Sequence, residues 1–294
     1  MKIGIPLSKN AYTPEAYAYE KYLSNLGWKV QLDYELDPNN DLNLMFMGVD
    51  PFWKKGEGRA LIVHEYQSLS IPPYSYLKDL LKKTVNRKPS GRIFLNNIVH
   101  SNLSFKDNVP YIYRDMGVDE IFFQTPSLNP HYDIVYCGSI HNRVGLVECL
   151  LKLVKLGYKV IVVGDANEDL KSLFSGFQNM TFFGRASRSE IADIYKNAKF
   201  GLNYTPNVFP FNVQTSTKTL EYLASGLRVI SNKYYWSIQL SESFDIMWLN
   251  DFLVNKNNYN LNESAFDRNN KILSWDELLT SNGFEDFLKS CVNV

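Results

Sequence analysis

Residues 158–204 read YKVIVVGDANEDLKSLFSGFQNMTFFGRASRSEIADIYKNAKFGLNY, and this stretch decides the fold. Lys159 to Val163 is a short apolar run of the kind a strand buried on both faces requires. Glu168 to Phe174 has helical spacing, Met180 to Phe183 is strand-like, Ser189 to Asn197 is helical, and Phe200 to Tyr204 returns to a strand. Alternation of this kind predicts a parallel sheet covered by helices. The pattern extends both ways. Upstream lie a strand at Ile134 to Tyr136 and a helix at Val144 to Leu156. Downstream come a helix at Ser216 to Ala224 and strands at Arg228 to Ser231 and Asp245 to Leu249. Asn255 to Asn270 reads as an Asn-rich loop, and Trp275 to Lys289 as one final helix.

The first half repeats the theme. Strands are expected at Lys2 to Leu7, Lys29 to Tyr34, Leu42 to Met47, Ala60 to His64, Arg92 to Leu95 and Val109 to Tyr113, with helices at Pro14 to Leu26 and Tyr76 to Val85. Gln124 to Pro130 shifts to Pro, Ser and Asn, the chemistry of an exposed connection. The chain is therefore read as α/β, with two Rossmann-like domains over residues 1–128 and 129–272 and a C-terminal helix in 273–294.

Composition excludes several classes. Lys plus Arg equals Asp plus Glu at 31 each, so no global field draws the chain to nucleic acid. No apolar run reaches the length of a membrane span, and the polar turn after Leu7 does not suit a secretory leader, so a cytoplasmic location is expected. Cys137, Cys149 and Cys291 show no Cys-x-x-Cys spacing and are expected to be reduced and structural. Charge is uneven locally: between Tyr76 and Arg92, six cations stand against Asp79 alone. That clustering suits an anionic lipid or a phosphate-linked acceptor, and equally a solvated helix.

In open parallel sheets, ligands gather beyond the carboxyl ends of the strands, where helix N-termini favour anions. Gln214 to Gly226 reads QTSTKTLEYLASG: Thr215, Ser216 and Thr217 precede a helix, and Lys218 and Glu221 fall on one helical face. A cation followed one turn later by a carboxylate suits a nucleoside diphosphate, with Lys218 on phosphate and Glu221 accepting from ribose hydroxyls. A capped surface helix with an ion pair would look the same.

Lys218-x-x-Glu221-Tyr-Leu-Ala-x-Gly226-Leu-x-Val229-Ile resembles the donor-binding signature of bacterial GT-B glycosyltransferases, particularly the retaining family 4 group and its relatives. Tyr136-Cys-Gly138-Ser139 is similar to that group's glycine loop, Val162-Val-Gly164 to its second strand, and Phe182-Phe-Gly184-Arg185 with Ile191-x-x-Ile194-Tyr195 to the segment before the signature. Gly117-Val-Asp119 with Phe122 is similar to its interdomain motif, and Ser274-Trp275-Asp276 to the start of its last helix. The resemblance implies a GT-B architecture: two Rossmann-like domains facing a cleft, acceptor domain first, with the C-terminal helix returning to it. It implies transfer of a sugar from a nucleotide-diphosphate donor to a glycan or lipid-linked acceptor, in lipopolysaccharide, capsule or other surface polysaccharide synthesis at the inner membrane face.

Departures qualify that expectation. Where the retaining group carries a Glu eight residues before the ribose-binding one stands Val213, beside Gln214, which leaves the stereochemical outcome open although the resemblance points to retention. The usual Lys after the glycine loop is absent, and Arg143 is the nearest cation for a diphosphate, or a solvated loop arginine. No Asp-x-Asp motif for a hard divalent ion is present, so metal-independent transfer without a cofactor is expected, Lys218, Arg143 and helix N–H groups meeting the leaving charge. On the acceptor side, His64 and Glu65 end a strand and are the candidate catalytic pair. Asn96, Asn97 and His100 are weaker candidates that also suit a turn, and Glu15 and Tyr17 are weaker still. Two other readings stay open: a sugar-nucleotide epimerase, which needs paired acid and base carboxylates, and a donor-binding partner without turnover.

Overall fold

The computed structural model describes residues 1–7, 13–53, 58–140, 143–254 and 271–292. They divide into two compact units, Met1–Gly117 with Leu273–Val294, and Val118–Ile272. The expected loop at 255–270 lies outside the described residues.

The first unit contains β1 (Lys2–Pro6), α1 (Pro14–Asn25), β2 (Lys29–Asp33), β3 (Leu42–Phe46), β4 (Leu61–Tyr66), α2 (Ser75–Thr84), β5 (Gly91–Phe94), α3 (Asn97–Leu103) and β6 (Tyr111–Tyr113). Its six strands form one parallel sheet ordered β2-β1-β3-β4-β5-β6. Helix α1 buries Ala16, Tyr19 and Leu23, whose spacing places them on one face. They pack with Ile3, Ile5, Leu44 and Val63 of the sheet.

The second unit contains β7 (Tyr132–Cys137), α4 (Leu146–Lys155), β8 (Val160–Val163), α5 (Glu168–Leu173), β9 (Met180–Gly184), α6 (Arg188–Lys196), β10 (Ala198–Asn203), α7 (Thr217–Ala224), β11 (Arg228–Ser231), α8 (Tyr235–Leu240), β12 (Ile246–Trp248) and α9 (Leu249–Val254). Its parallel sheet runs β12-β11-β10-β7-β8-β9. Separate apolar clusters cover its two faces, one around α4 and α9, the other around α6 and α7. Chain order reverses on either side of β7, so the carboxyl end of β7 is the topological switch point of this unit.

The last described segment holds α10 (Trp275–Ser281) and α11 (Phe284–Val292), which pack on the first unit through Trp275, Leu279, Phe284, Phe287 and Leu288. The expected single helix is thus two, broken where Gly283 takes φ 68°. Trp28 Nε1 donates to Glu285 at 2.9 Å, fastening α11 to the end of α1.

The units divide at Gly117/Val118 rather than 128/129, and the reason is packing. Val118 and Phe122 are buried in the second unit's core, Gln124 Nε2 donates to the Ala192 carbonyl at 2.8 Å, and Gly226 passes so close to Pro126 that a side chain there would collide. The Pro-rich stretch is strapped to the second unit. Asn96 and Asn97 form a helix start instead of a turn, the Asn96 side chain accepting from Val99 N at 3.0 Å.

Candidate functional site

In the second unit, three glycines end three adjacent strands. Gly138, Gly164 and Gly184 follow or close β7, β8 and β9, all with positive φ. Gly138 N donates to the Val163 carbonyl at 2.9 Å, and Gly164 N to the Gly184 carbonyl at 2.8 Å. A Cβ on Gly164 would strike the Gly138 carbonyl, so the backbones lie too close for any side chain. Ser139 is exposed beside this rim.

Across the switch point, α7 is fixed by its own cap. Ser216 Oγ accepts from Thr219 N at 3.4 Å and contacts Asn203 Oδ1 at 3.4 Å, which ties the cap to the end of β10. Asn203 in turn donates to Ser231 at 3.0 Å and to Tyr234 at 2.9 Å. Cys137 N donates to the Tyr222 hydroxyl at 2.8 Å, and the Tyr222 ring fills the space that a side chain at Gly201 would need. Helix α7 is therefore held against β7 and β10, with Thr215, Ser216 and Thr217 half-buried at its entrance. Arg143 Nη1 donates to the Tyr204 carbonyl at 2.9 Å, tying the loop after β7 to β10; it is half-buried rather than a free loop arginine.

Lys218 lies in the first turn of α7, where the helix dipole disfavours a cation. Glu221 compensates it: Lys218 Nζ meets Glu221 Oε2 at 2.9 Å, Tyr195 OH donates to the same oxygen at 3.2 Å, and Arg188 Nη1 reaches Oε1 at 3.2 Å. Glu221 is 1% exposed, so the expected ribose contact would require Lys218 or Arg188 to give way. Its carboxylate here aligns two cations. Arg188 also pairs with Asp119 at 3.4 Å and lies over the Phe122 ring, which gives the Gly117-Val-Asp119 motif a physical task in this cluster. Burial pushes the Cys137 thiol up, while Lys218 and Arg188 pull against that shift, so both cations act at the carboxyl end of β7. Arg185 stands apart from this cluster, exposed and paired with Asp165 at 2.7 Å.

Arg188 was not among the expected site residues. Its position inside a helix-starting Ser187-x-x-Glu190 capping box hid it, because a box of that kind explains the local polar residues without any ligand.

His64 and Glu65, the expected catalytic pair, do not face solvent: both are 0% exposed. The correction has a cause. Glu65 is taken by Arg114, by the Tyr19 hydroxyl at 3.0 Å and by Gln67 at 3.1 Å, while His64 lies on the opposite face of β4 with neither ring nitrogen hydrogen-bonded among the described residues. Burial, helped by the Arg92 charge, lowers the His64 pKa to about 4. Below its ordinary value near 6.5 the unfolded chain takes up a proton that the folded chain refuses, so stability falls as pH drops from 6.5 towards 4. Between pH 7 and 5 the loss from this residue is about 2 kcal/mol. Urea midpoints for wild type and His64→Leu at both pH values check it; an equal pH dependence in the variant removes His64 as the source.

The basic stretch is also less charged than its sequence. Arg92 is buried against Asp107 at 2.5 Å, Arg87 pairs with Asp50 at 2.6 Å, and Lys82 with Asp79 at 3.6 Å. Lys78 and Lys83 form no ion pair among the described residues, Lys78 Nζ donating instead to the Ile71 carbonyl at 3.1 Å, and Lys88 is exposed.

Two Rossmann-like parallel units of this kind make up the GT-B fold. Among solved structures, the chain is similar to AviGT4, a glycosyltransferase involved in avilamycin A biosynthesis, with TM-score 0.65 and 12% identity over 100% of this chain and 98% of that one. HepE of Anabaena, solved with UDP and glucose, matches with TM-score 0.58 and 11% identity over 99% of this chain and 91% of its own. The UDP-GlcNAc 2-epimerase of Methanocaldococcus jannaschii matches with TM-score 0.57 and 10% identity over 98% and 99%. No protein-family model matches the chain, and no curated protein does. At such identities the likeness is one of fold.

Among the described residues, no helix is long and apolar enough to cross a membrane.

Proposed function

We propose that the protein is a glycosyltransferase that takes a sugar from a nucleotide-diphosphate donor bound at the switch point of the second unit. The observation that carries this reading is Lys218, a cation at the positive end of α7, braced by buried Glu221 beside a glycine-only rim. The N-terminal N–H groups and dipole of α7 add a positive potential beside that pair, which favours an anion there. The diphosphate would lie along Gly138, Ser139 and Gly184, with Thr215, Ser216 and Thr217 offering hydroxyls and N–H groups. Lys218 and Arg143 would meet the charge that builds on the leaving group. The described contacts of Arg143 use Nη1 alone, so its remaining donors suit phosphate oxygens. Arg185 would guard the rim of the same site.

With cations and N–H groups in these roles, transfer is proposed to proceed without a divalent metal. Retention is the stereochemical expectation, checked by the anomeric configuration of the product. The acceptor is proposed to be a glycan or lipid-linked sugar of a surface polysaccharide, engaged by the first unit; a nucleotide at the second unit is in keeping with HepE, a structure of similar fold solved with UDP and glucose.

The test is a panel of UDP-, GDP-, ADP- and CMP-sugars in EDTA, read by thermal shift and nucleotide release. Stabilisation by one donor class with release of its nucleotide is the expected result. A folded sample that no donor stabilises sinks the reading. Because an epimerase shares the fold, the sugar product is identified as well: inversion at one carbon with the nucleotide still attached would make the protein an epimerase.

A further inference from the structure

Helix α2 is built inside out. At roughly 100° per residue, Tyr76, Leu77, Leu80, Leu81 and Thr84 share one arc of about 140°, and Ser75, Asp79 and Lys82 lie opposite. In a globular protein the apolar arc faces the core. Here Asp79 and Lys82 are the covered side, at 16% and 12% side-chain exposure, with Asp79 accepting from Ser70 N at 3.1 Å. The apolar arc faces out, Tyr76 at 79% and Leu77 at 53% exposure, and α2 has no buried residue.

The arc does not stand alone. Ile71 and Tyr74, just before the helix, are exposed, and so are Phe52 and Trp53. That second pair is tied to the end of α2: Phe52 N donates to the Val85 carbonyl at 2.8 Å, Arg87 N to the Asp50 carbonyl at 3.0 Å, and the Arg87 side chain grips Asp50. Backbone and ion-pair anchors hold aromatic rings in water, where they gain nothing, and a contiguous patch of this kind marks an interaction surface.

We infer that this face of the first unit docks on a lipid bilayer rich in anionic headgroups, with α2 lying in the interface plane. Charge decides for lipid. Lys78 and Lys83 flank the apolar arc on its two sides, neither in an ion pair among the described residues, and exposed Lys88 follows the helix. An apolar face of Leu, Tyr and Trp edged by lysines is the chemistry of an interfacial helix, its rings at headgroup level and its ammonium groups on lipid phosphate. A second copy of the chain would bring the same lysines to the same seam, where like charges repel. The surface lies in the first unit, and its assignment is independent of the donor site.

The test uses the full-length chain, sedimented with vesicles of phosphatidylcholine alone or with about one-third phosphatidylglycerol. Binding to the anionic vesicles, weakened when salt rises from about 0.1 M to about 0.5 M, is expected. Leu77→Ser with Leu81→Ser should lower partitioning about tenfold or more, since both side chains are exposed and their loss spares the core. Lys78→Glu with Lys83→Glu should lower it comparably on anionic vesicles only. Thermal midpoint and donor-induced shift, read on the same samples, should be unchanged by either pair. A variant that fails to fold is thereby separated from one that fails to dock, and a failed donor reading from a failed surface. The inference is overturned if wild type stays in the supernatant, if the leucine variant sediments as wild type does, or if wild type is a dimer that the leucine variant dissolves.

Discussion

Lys218→Ala is expected to slow donor turnover by about 10²- to 10³-fold, the cost of removing one preorganised charge from a developing anion. The side chain is a third exposed, and its ammonium is held by a carboxylate that is itself 1% exposed. Truncation therefore removes charge from the mouth of the site without opening the core, and stability should change by less than about 1 kcal/mol. Lys218→Arg keeps the charge but not the compact geometry and should recover part of the rate. Glu221→Gln should behave differently, because it leaves Arg188 half-buried with only Asp119 beside it and releases Lys218 from its brace. Loss of both stability and turnover is expected there. Kinetics and thermal melts of the three variants check the scheme. A Lys218→Ala enzyme with unaltered turnover removes the residue from the reaction, and with it the reason for locating the donor at α7.

How much of this was legible follows from which forces are local. Strands of a parallel sheet buried on both faces are apolar throughout or nearly so, and Val160–Val163 announces itself that way, with the αβ alternation around it. The capped α7 was equally plain, since a hydroxyl run before an apolar period has few other uses. Pairings across distance were not. That Glu221 is sealed by Arg188 and Tyr195 depends on α6 meeting α7, and nothing in either helix alone requires it. Periodicity marks Tyr76 to Val85 as an amphipathic helix but does not tell which face the protein covers, and here the usual answer is reversed, with Tyr76, Leu77, Leu80 and Leu81 exposed. The break at Gly283 carried a readable sign, Asn followed by Gly inside a helical period, and α10 and α11 part there. His64 and Glu65 looked like a polar pair leaving a strand, whereas burial of both is decided by partners such as Arg114 that lie far along the chain.

Arg114→Met should destabilise the first unit by about 3–5 kcal/mol, the cost of stranding a buried carboxylate. For a unit of this size the corresponding drop in melting temperature is on the order of 10 °C. Arg114 and Glu65 are both 0% exposed and in direct contact, and the guanidinium also lies near the Tyr19 and Trp275 rings. Burial opposes the Arg114 charge, and Glu65, Tyr19 and Glu15 more than offset it, so its pKa sits above the usual arginine value. Burial likewise raises Glu15, with Arg114 restraining the rise, so one cation serves two carboxyl groups. Because Trp275 opens α10, loss of Arg114 should also loosen the return of the C-terminal helices onto this unit. Replacing both partners, Arg114→Met with Glu65→Leu, removes the charges together and should cost less than the sum of the single changes. The same cycle decides what Glu65 is for. If it anchors Arg114, Glu65→Gln lowers the melting point while the donor-induced shift persists. If Glu65→Gln melts with wild type yet abolishes transfer, Glu65 acts on the substrate and the buried arrangement is not its working state.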